Sequence, residues 1–179
     1  MAKVIGSVLL EIKKYINNKY TKDSFNELVN KSENPETQKL KGAVIIASEF
    51  YDFDLMEDVQ GLFRKHYGDD EFKNMLYAMA DNTLKGVMGL LAKFVSLDRI
   101  LQDAQKKWNT FYDTGTIEPE KITENEYKIT LRDIPQKENF IYGTHFFFER
   151  LFQIATKKEV TTTINRKGEG LVEYRILIK

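Results

Sequence analysis

Acid–base or metal chemistry in this chain has few residues to draw on. His66 and His145 are the only imidazoles among 179 residues, and there is no cysteine. His145 lies among Tyr142, Phe146, Phe147 and Phe148, one helical turn before Glu149, so it could ligate a metal or a porphyrin iron. The competing reading is a partly buried histidine satisfied by a neighbour. His66, in Arg-Lys-His-Tyr-Gly, suits the C-terminal end of a helix, where its charged form complements the dipole. A histidine metal centre would need carboxylates to complete it, and no Glu-x-x-His or His-x-x-x-His pair occurs. Asp52, Asp54, Glu57 and Asp58 lack the glycine and terminal glutamate of a calcium loop, and so read as carboxylates at a helix start, as do Asp69, Asp70 and Glu71. Nucleophile elbows, phosphate-cradling loops and dinucleotide fingerprints are absent; Gly86-Val-Met-Gly89 is neither followed by lysine nor preceded by a strand. The chain reads as a non-enzyme with no cofactor.

Periodicity supplies the elements that would position these residues. Val4, Ile5, Val8, Leu9, Ile12, Tyr15 and Ile16 form one helical stripe, and Ser24 with Glu27 makes a capping box for a short second helix. After a break over 32–35, a third helix is expected to present Leu40, Ala43, Val44, Ala47 and Phe50. A fourth starts at Asp52 or Asp54, turns Leu55, Val59, Leu62 and Phe63 inward and stops at Gly68. A fifth begins at Asp69 and carries its stripe through Phe72, Leu76, Met79, Val87, Leu90, Leu91 and Phe94, with Gly86 and Gly89 inside it. Ser96 caps a sixth, with Leu97, Ile100, Leu101, Ala104, Trp108 and Phe111 on one face. Residues 126–131 then alternate as a strand, 110–116 are a further strand candidate, and 139–156 return to a helical period. Segments 159–165 and 171–178 alternate around a Lys-Gly-Glu-Gly turn and predict a closing hairpin.

The expected fold is α+β: about six N-terminal helices, then a four-stranded antiparallel sheet in strand-strand-helix-strand-strand order. One domain is expected over 1–179, with a helical part at 1–111 and a sheet-containing part at 112–179. Twenty-seven basic and 27 acidic side chains are interspersed, so neither nucleic acid nor an anionic membrane is an expected partner. The first apolar stretch is too short and too charged to span a bilayer, and the missing cysteines favour the cytoplasm.

This order of elements resembles the heme nitric-oxide/oxygen-binding (H-NOX) domain. The stretch from Trp108 through Gly115, the strand Tyr127 to Leu131 followed by Ile134-Pro135, and Gly143 in the next helix look most like an uncharacterised, myxobacterial-type paralogous family of that fold. The resemblance implies the fold and a sensory role in bacterial signalling. It does not carry heme, because the family's ligating histidine has no counterpart within Leu97 to Phe111 and its Tyr-x-Ser-x-Arg motif is missing.

The aromatic helix is then the most informative segment. Trp108, Tyr142, His145, Phe146 and Phe147 are the residues expected to bind a ligand or a partner, as the lining of an apolar cavity, as an interface, or as plain core. Six aromatic rings between Phe140 and Phe152 cover too much of a helix to share one narrow stripe. The expected function is a heme-free regulatory or sensory domain that takes a small apolar ligand or a protein partner, self-association included. The alternative is a scaffold or adaptor with a filled core.

Overall fold

The computed structural model describes residues 2–88, 97–166 and 168–179. A short strand, β1 (Lys3–Ile5), opens the chain and is followed by α1 (Gly6–Lys19), α2 (Ser24–Val29) and the single turn α3 (Pro35–Gln38). β2 (Phe50–Asp52) pairs antiparallel with β1 and leads into α4 (Phe53–Tyr67) and α5 (Asp69–Met88). Helices α6 (Leu97–Gln102) and α7 (Ala104–Phe111) precede the sheet strands β3 (Thr116–Thr123) and β4 (Glu126–Arg132). The long helix α8 (Glu138–Thr156) then separates β4 from the closing hairpin β5 (Val160–Arg166) and β6 (Leu171–Ile178). The main sheet is antiparallel with strand order β3-β4-β6-β5, so the fold is α+β as the sequence predicts.

Val4 and Ile5 are not helical, contrary to expectation. They pair with Tyr51 and Phe50, and α1 starts only at Gly6. A side chain at Gly6 would place its Cβ 2.1 Å from the Ile46 carbonyl oxygen, so glycine is what allows the two segments to touch there. The expected third helix also fails. The chain turns at Gly42 (φ 68°) after α3, is neither helix nor strand over 43–46, turns again over 47–49 and enters β2, leaving Val44 86% and Phe50 45% exposed. A β-branched run following a positive-φ glycine favours extended chain over helix, and the apolar spacing from Leu40 to Phe50 mimicked a stripe.

Smaller corrections follow the same logic. Ser24 does not cap α2: its Oγ accepts the Thr21 N–H at 3.1 Å, one turn earlier than the proposed box. Asp52 makes no capping bond on α4. The helix expected from Leu97 to Phe111 is divided at Asp103 into α6 and α7. Thr110 and Phe111 are helical, and the first sheet strand begins at Thr116. It escaped notice because Ile117 is its only buried residue and Pro119 interrupts its alternation. Gly86 and Val87 fall within the last turn of α5, as expected, while the rest of the expected stripe at Leu90, Leu91 and Phe94, the glycine at 89 and the cap at Ser96 lie outside what the structure describes.

The core joins α1, α4, α5 and α8 to the inner face of the sheet, where Tyr127, Ile129, Leu131, Val172, Tyr174 and Ile176 are all buried. Gly143 faces α5, where an added Cβ would stand in ordinary contact, 3.4 Å from Phe72 and Leu76. Among the described residues no helix is long and apolar enough to cross a membrane.

Candidate functional site

Helix α8 carries four of the five candidate residues, and its placement is set from outside. Glu57 on α4 accepts the main-chain N–H groups of Asn139 and Phe140 at 3.0 and 2.9 Å and the Asn139 side-chain amide at 3.0 Å. A carboxylate from a neighbouring helix thus satisfies donors that α8 leaves open at its N-terminus. Asp54 pairs with Lys137 at 2.9 Å, and Asp58 accepts the Ser32 hydroxyl. The acidic cluster therefore reaches in three directions and does more than sit on its own helix start. No sequence pattern links Glu57 to Asn139, 82 positions away.

The rings of α8 are distributed around its circumference. Phe148 meets Tyr174 and Phe152 meets Tyr127 on the sheet, with centroids 5.3 and 5.2 Å apart. Phe140 joins Phe53 and Tyr112, edge to face at 4.9 and 5.5 Å, and Trp108 lies 6.1 Å from it. The surplus rings turn toward α4 and α5, where cations cover them. The Arg64 guanidinium stands 4.3 Å above Tyr142 and the Lys73 ammonium 5.2 Å from Phe146.

Tyr142, His145 and Phe146 are thus brought together, with Phe146 4.8 Å from both of the others. Trp108 is not among them. It packs against Tyr112 at 4.5 Å and donates its indole N–H to the Thr114 carbonyl at 2.8 Å. Trp108 and Phe146 are each 7% exposed, whereas Tyr142, His145 and Phe147 are half-buried. Phe147 touches the Phe148 ring at 6.3 Å.

His145 lies 2.7 Å by its Nε2 from the main-chain carbonyl of Thr162 on β5. A carbonyl only accepts, so Nε2 carries the proton and Nδ1 is left as the free acceptor in the neutral ring. Both His145 Nδ1 and Thr162 Oγ1 are buried without a hydrogen-bond partner. Nearby, burial alone would raise Glu149, but hydrogen bonds from Tyr77 and Lys73 hold its carboxyl below the ordinary range. Lys73 pairs with it at 3.0 Å. Arg150 binds Asp81 through two nitrogens at 2.7 and 3.2 Å, which makes the α5–α8 seam continuously ion-paired. Tyr112 lies in the ring cluster around Phe140, where burial pushes its phenol well above the ordinary value. Its hydroxyl has no hydrogen-bond partner among the described residues.

His66 lies in the last turn of α4, as expected, exposed and 3.3 Å from Lys31 Nζ. Among the described residues no three metal-ligating side chains converge. A groove of about 340 Å³ runs between α1 and α5, bounded by Glu11, Lys14, Tyr15 and Lys19 on one side and by Met79 and Asn82 on the other. None of the five candidate residues lines it.

Solved structures of H-NOX proteins share this architecture. The Fe(II) unliganded H-NOX protein from K. algicida aligns over 98% of this chain and 96% of its own, with a TM-score of 0.66 and 14% identity. A Cs H-NOX mutant carrying 4-cyano-L-phenylalanine covers the same shares at 0.65 and 13%. A Tt H-NOX variant covers 98% and 95% at 0.62 and 13%. The chain has the H-NOX fold. It matches no protein-family model and no curated protein. The H-NOX likeness raises the question of heme, and the residues present do not fit one held in the manner that the family resemblance implies. Between His66 and His145 there is no imidazole to serve as the axial ligand. The His145 nitrogen that bears the proton is bound to β5, and its other nitrogen is enclosed.

Proposed function

We propose that this chain is a heme-independent regulatory or sensory domain on the H-NOX scaffold, working in bacterial signalling by binding a protein partner or a small apolar ligand. The observation that carries the reading is the position of the two imidazoles. One is exposed at the end of α4, and the other is turned against the sheet strand β5. The loose likeness of Trp108 to Gly115, Tyr127 to Leu131, Ile134-Pro135 and Gly143 to the myxobacterial-type paralogous family belongs to this reading. A cytoplasmic location accords with the absence of cysteine. Tyr142 and Phe147 keep exposed surface and are the candidate residues open to a partner, whereas Trp108 and Phe146 could meet only a ligand inside the fold.

Titration with hemin, followed by absorbance and native mass spectrometry, tests the proposal. The expected result is no sharp stoichiometric Soret band. A band that persists in His66→Ala/His145→Ala overturns the account of what a site here requires, and one lost in His145→Ala alone makes that histidine a ligand. The adaptor reading gains from a specific feature: Phe53, Trp108, Tyr112 and Phe140 interlock as rings, while Val44, Ile46 and Phe50 are exposed. Bound small molecules in protein taken from its native host would count against it.

A further inference from the structure

The segment between α3 and β2 places its apolar side chains where a folded monomer has no use for them. Val44, Ile46 and Phe50 are 86%, 45% and 45% exposed, while Ile45 between the first two is buried at 6%. Residues 43–46 belong to no helix or strand, and exposure alternates along them, with Val44 and Ile46 open to solvent and Ile45 turned inward. Turns close both ends, through Ala43 N–H to the Leu40 carbonyl and Glu49 N–H to the Ile46 carbonyl. The Ile46 N–H is held by the Tyr51 hydroxyl at 2.9 Å. Among the described residues the main-chain groups of Val44 and Ile45 have no partner, whereas the Ala47 and Glu49 carbonyls accept the Ser7 and Gly6 N–H groups at 3.0 and 2.7 Å, so free main chain is confined to the middle of the segment.

Read outward from Ile45, the sequence is complementary to its own reverse. Val44 answers Ile46, Ala43 answers Ala47, Gly42 answers Ser48 and Lys41 answers Glu49. Antiparallel pairing about a twofold axis at Ile45, confined to residues 44–46, would therefore set each copy's Val44 against the other's Ile46 and lay the turn that carries Lys41 toward the turn that carries the other's Glu49. Both charged residues are exposed, and in the single chain neither has an ion-pair partner among the described residues; Lys41 reaches only the Asn30 side-chain oxygen, at 3.2 Å. We propose that residues 41–50 are a self-complementary surface through which two copies of this chain associate. The proposal stands apart from the heme-independent reading. The apolar part of the patch is only three side chains, so the association expected is weak and concentration-dependent.

Sedimentation velocity over a wide concentration range, on the full chain, is the test. Wild type is expected to show a concentration-dependent monomer–dimer equilibrium. Val44→Asp, at a position too exposed to disturb the fold, is expected to be monomeric with unchanged circular dichroism. Lys41→Glu and Glu49→Lys each weaken association several-fold by setting like charges together, and the double variant Lys41→Glu/Glu49→Lys restores it. A wild-type monomer at the highest concentration, a dimer unaffected by Val44→Asp, a double reversal no better than the singles, or an assembly larger than a dimer would each overturn the proposal.

Discussion

Glu57→Ala removes the acceptor of three N–H groups at the start of α8, and its cost follows from what is left behind. Asn139 is half-exposed, so water replaces the carboxylate there. Phe140 is 3% exposed, and its main-chain N–H loses its partner where water enters poorly, a penalty of about 1–3 kcal/mol. Loss of a helix cap adds about 1 kcal/mol. The expected destabilisation is therefore about 2–4 kcal/mol, equivalent to roughly 4–16 °C in Tm for a domain of this size. Urea and thermal unfolding measure it, with the denaturant slope expected to stay constant. Emission from Trp108, the single tryptophan, gives a local view because its ring lies 6.1 Å from Phe140. Glu57→Gln keeps one acceptor oxygen and should recover about half the loss. A Glu57→Ala protein that melts within a degree of wild type, with unchanged emission, would show that this carboxylate does not hold α8 in place.

Trp108→Ala should cost about 3–5 kcal/mol, since it removes a buried indole from a ring cluster and leaves the Thr114 carbonyl unpaired; denaturant unfolding followed by circular dichroism checks it, and near-wild-type stability would place the indole outside the core. Burial, and then Glu71, push the Tyr15 phenol from its ordinary 10.0 to about 12. The neutral phenol favours the folded state, so its contribution is full below pH 10 and is lost as pH rises through about 12; Tyr15→Phe should flatten that alkaline loss, and an unchanged stability profile would refute the coupling. Glu149, held below the ordinary carboxyl range, contributes stability above that range and loses it as pH falls through the lowered value. Lys73→Met should raise this carboxyl and move the acid loss to higher pH, as read by carboxyl NMR titration; an unmoved titration would mean that Lys73 does not set it.

Long periodic stretches were legible in the sequence. Helices α4 and α8, strand β4 and the β5–β6 hairpin carry enough repeats of one period that local pattern and tertiary burial agree. Short segments were legible unevenly: α2 stands where it was expected, but between Leu40 and Phe50 the spacing suits a helix while β-branching and a positive φ at Gly42 oppose one, and past Gly42 no helix forms. The site was legible as residue types and opaque as contacts. Tyr142, His145 and Phe146 could be grouped because they share a helix turn, but the cations above two of them come from α4 and α5, and the Thr162 carbonyl comes from β5. Such pairings depend on how elements dock, which periodicity along one element does not contain.

The His145–Thr162 bond has a consequence for how the sheet avoids sticking to other chains. Strand β5 has a neighbour on one side only. The Lys179 N–H bound to the Glu159 carbonyl sets the odd-numbered residues of β5 to pair with β6, which turns the main-chain groups of Thr162 toward the open edge. An intruding strand would have to bond there, and the imidazole from α8 already holds that carbonyl. At the opposite edge, β3 carries Pro119, which has no N–H to offer, followed by Lys121. The histidine that could have served as a metal ligand thus occupies a position from which fibrillar pairing could begin.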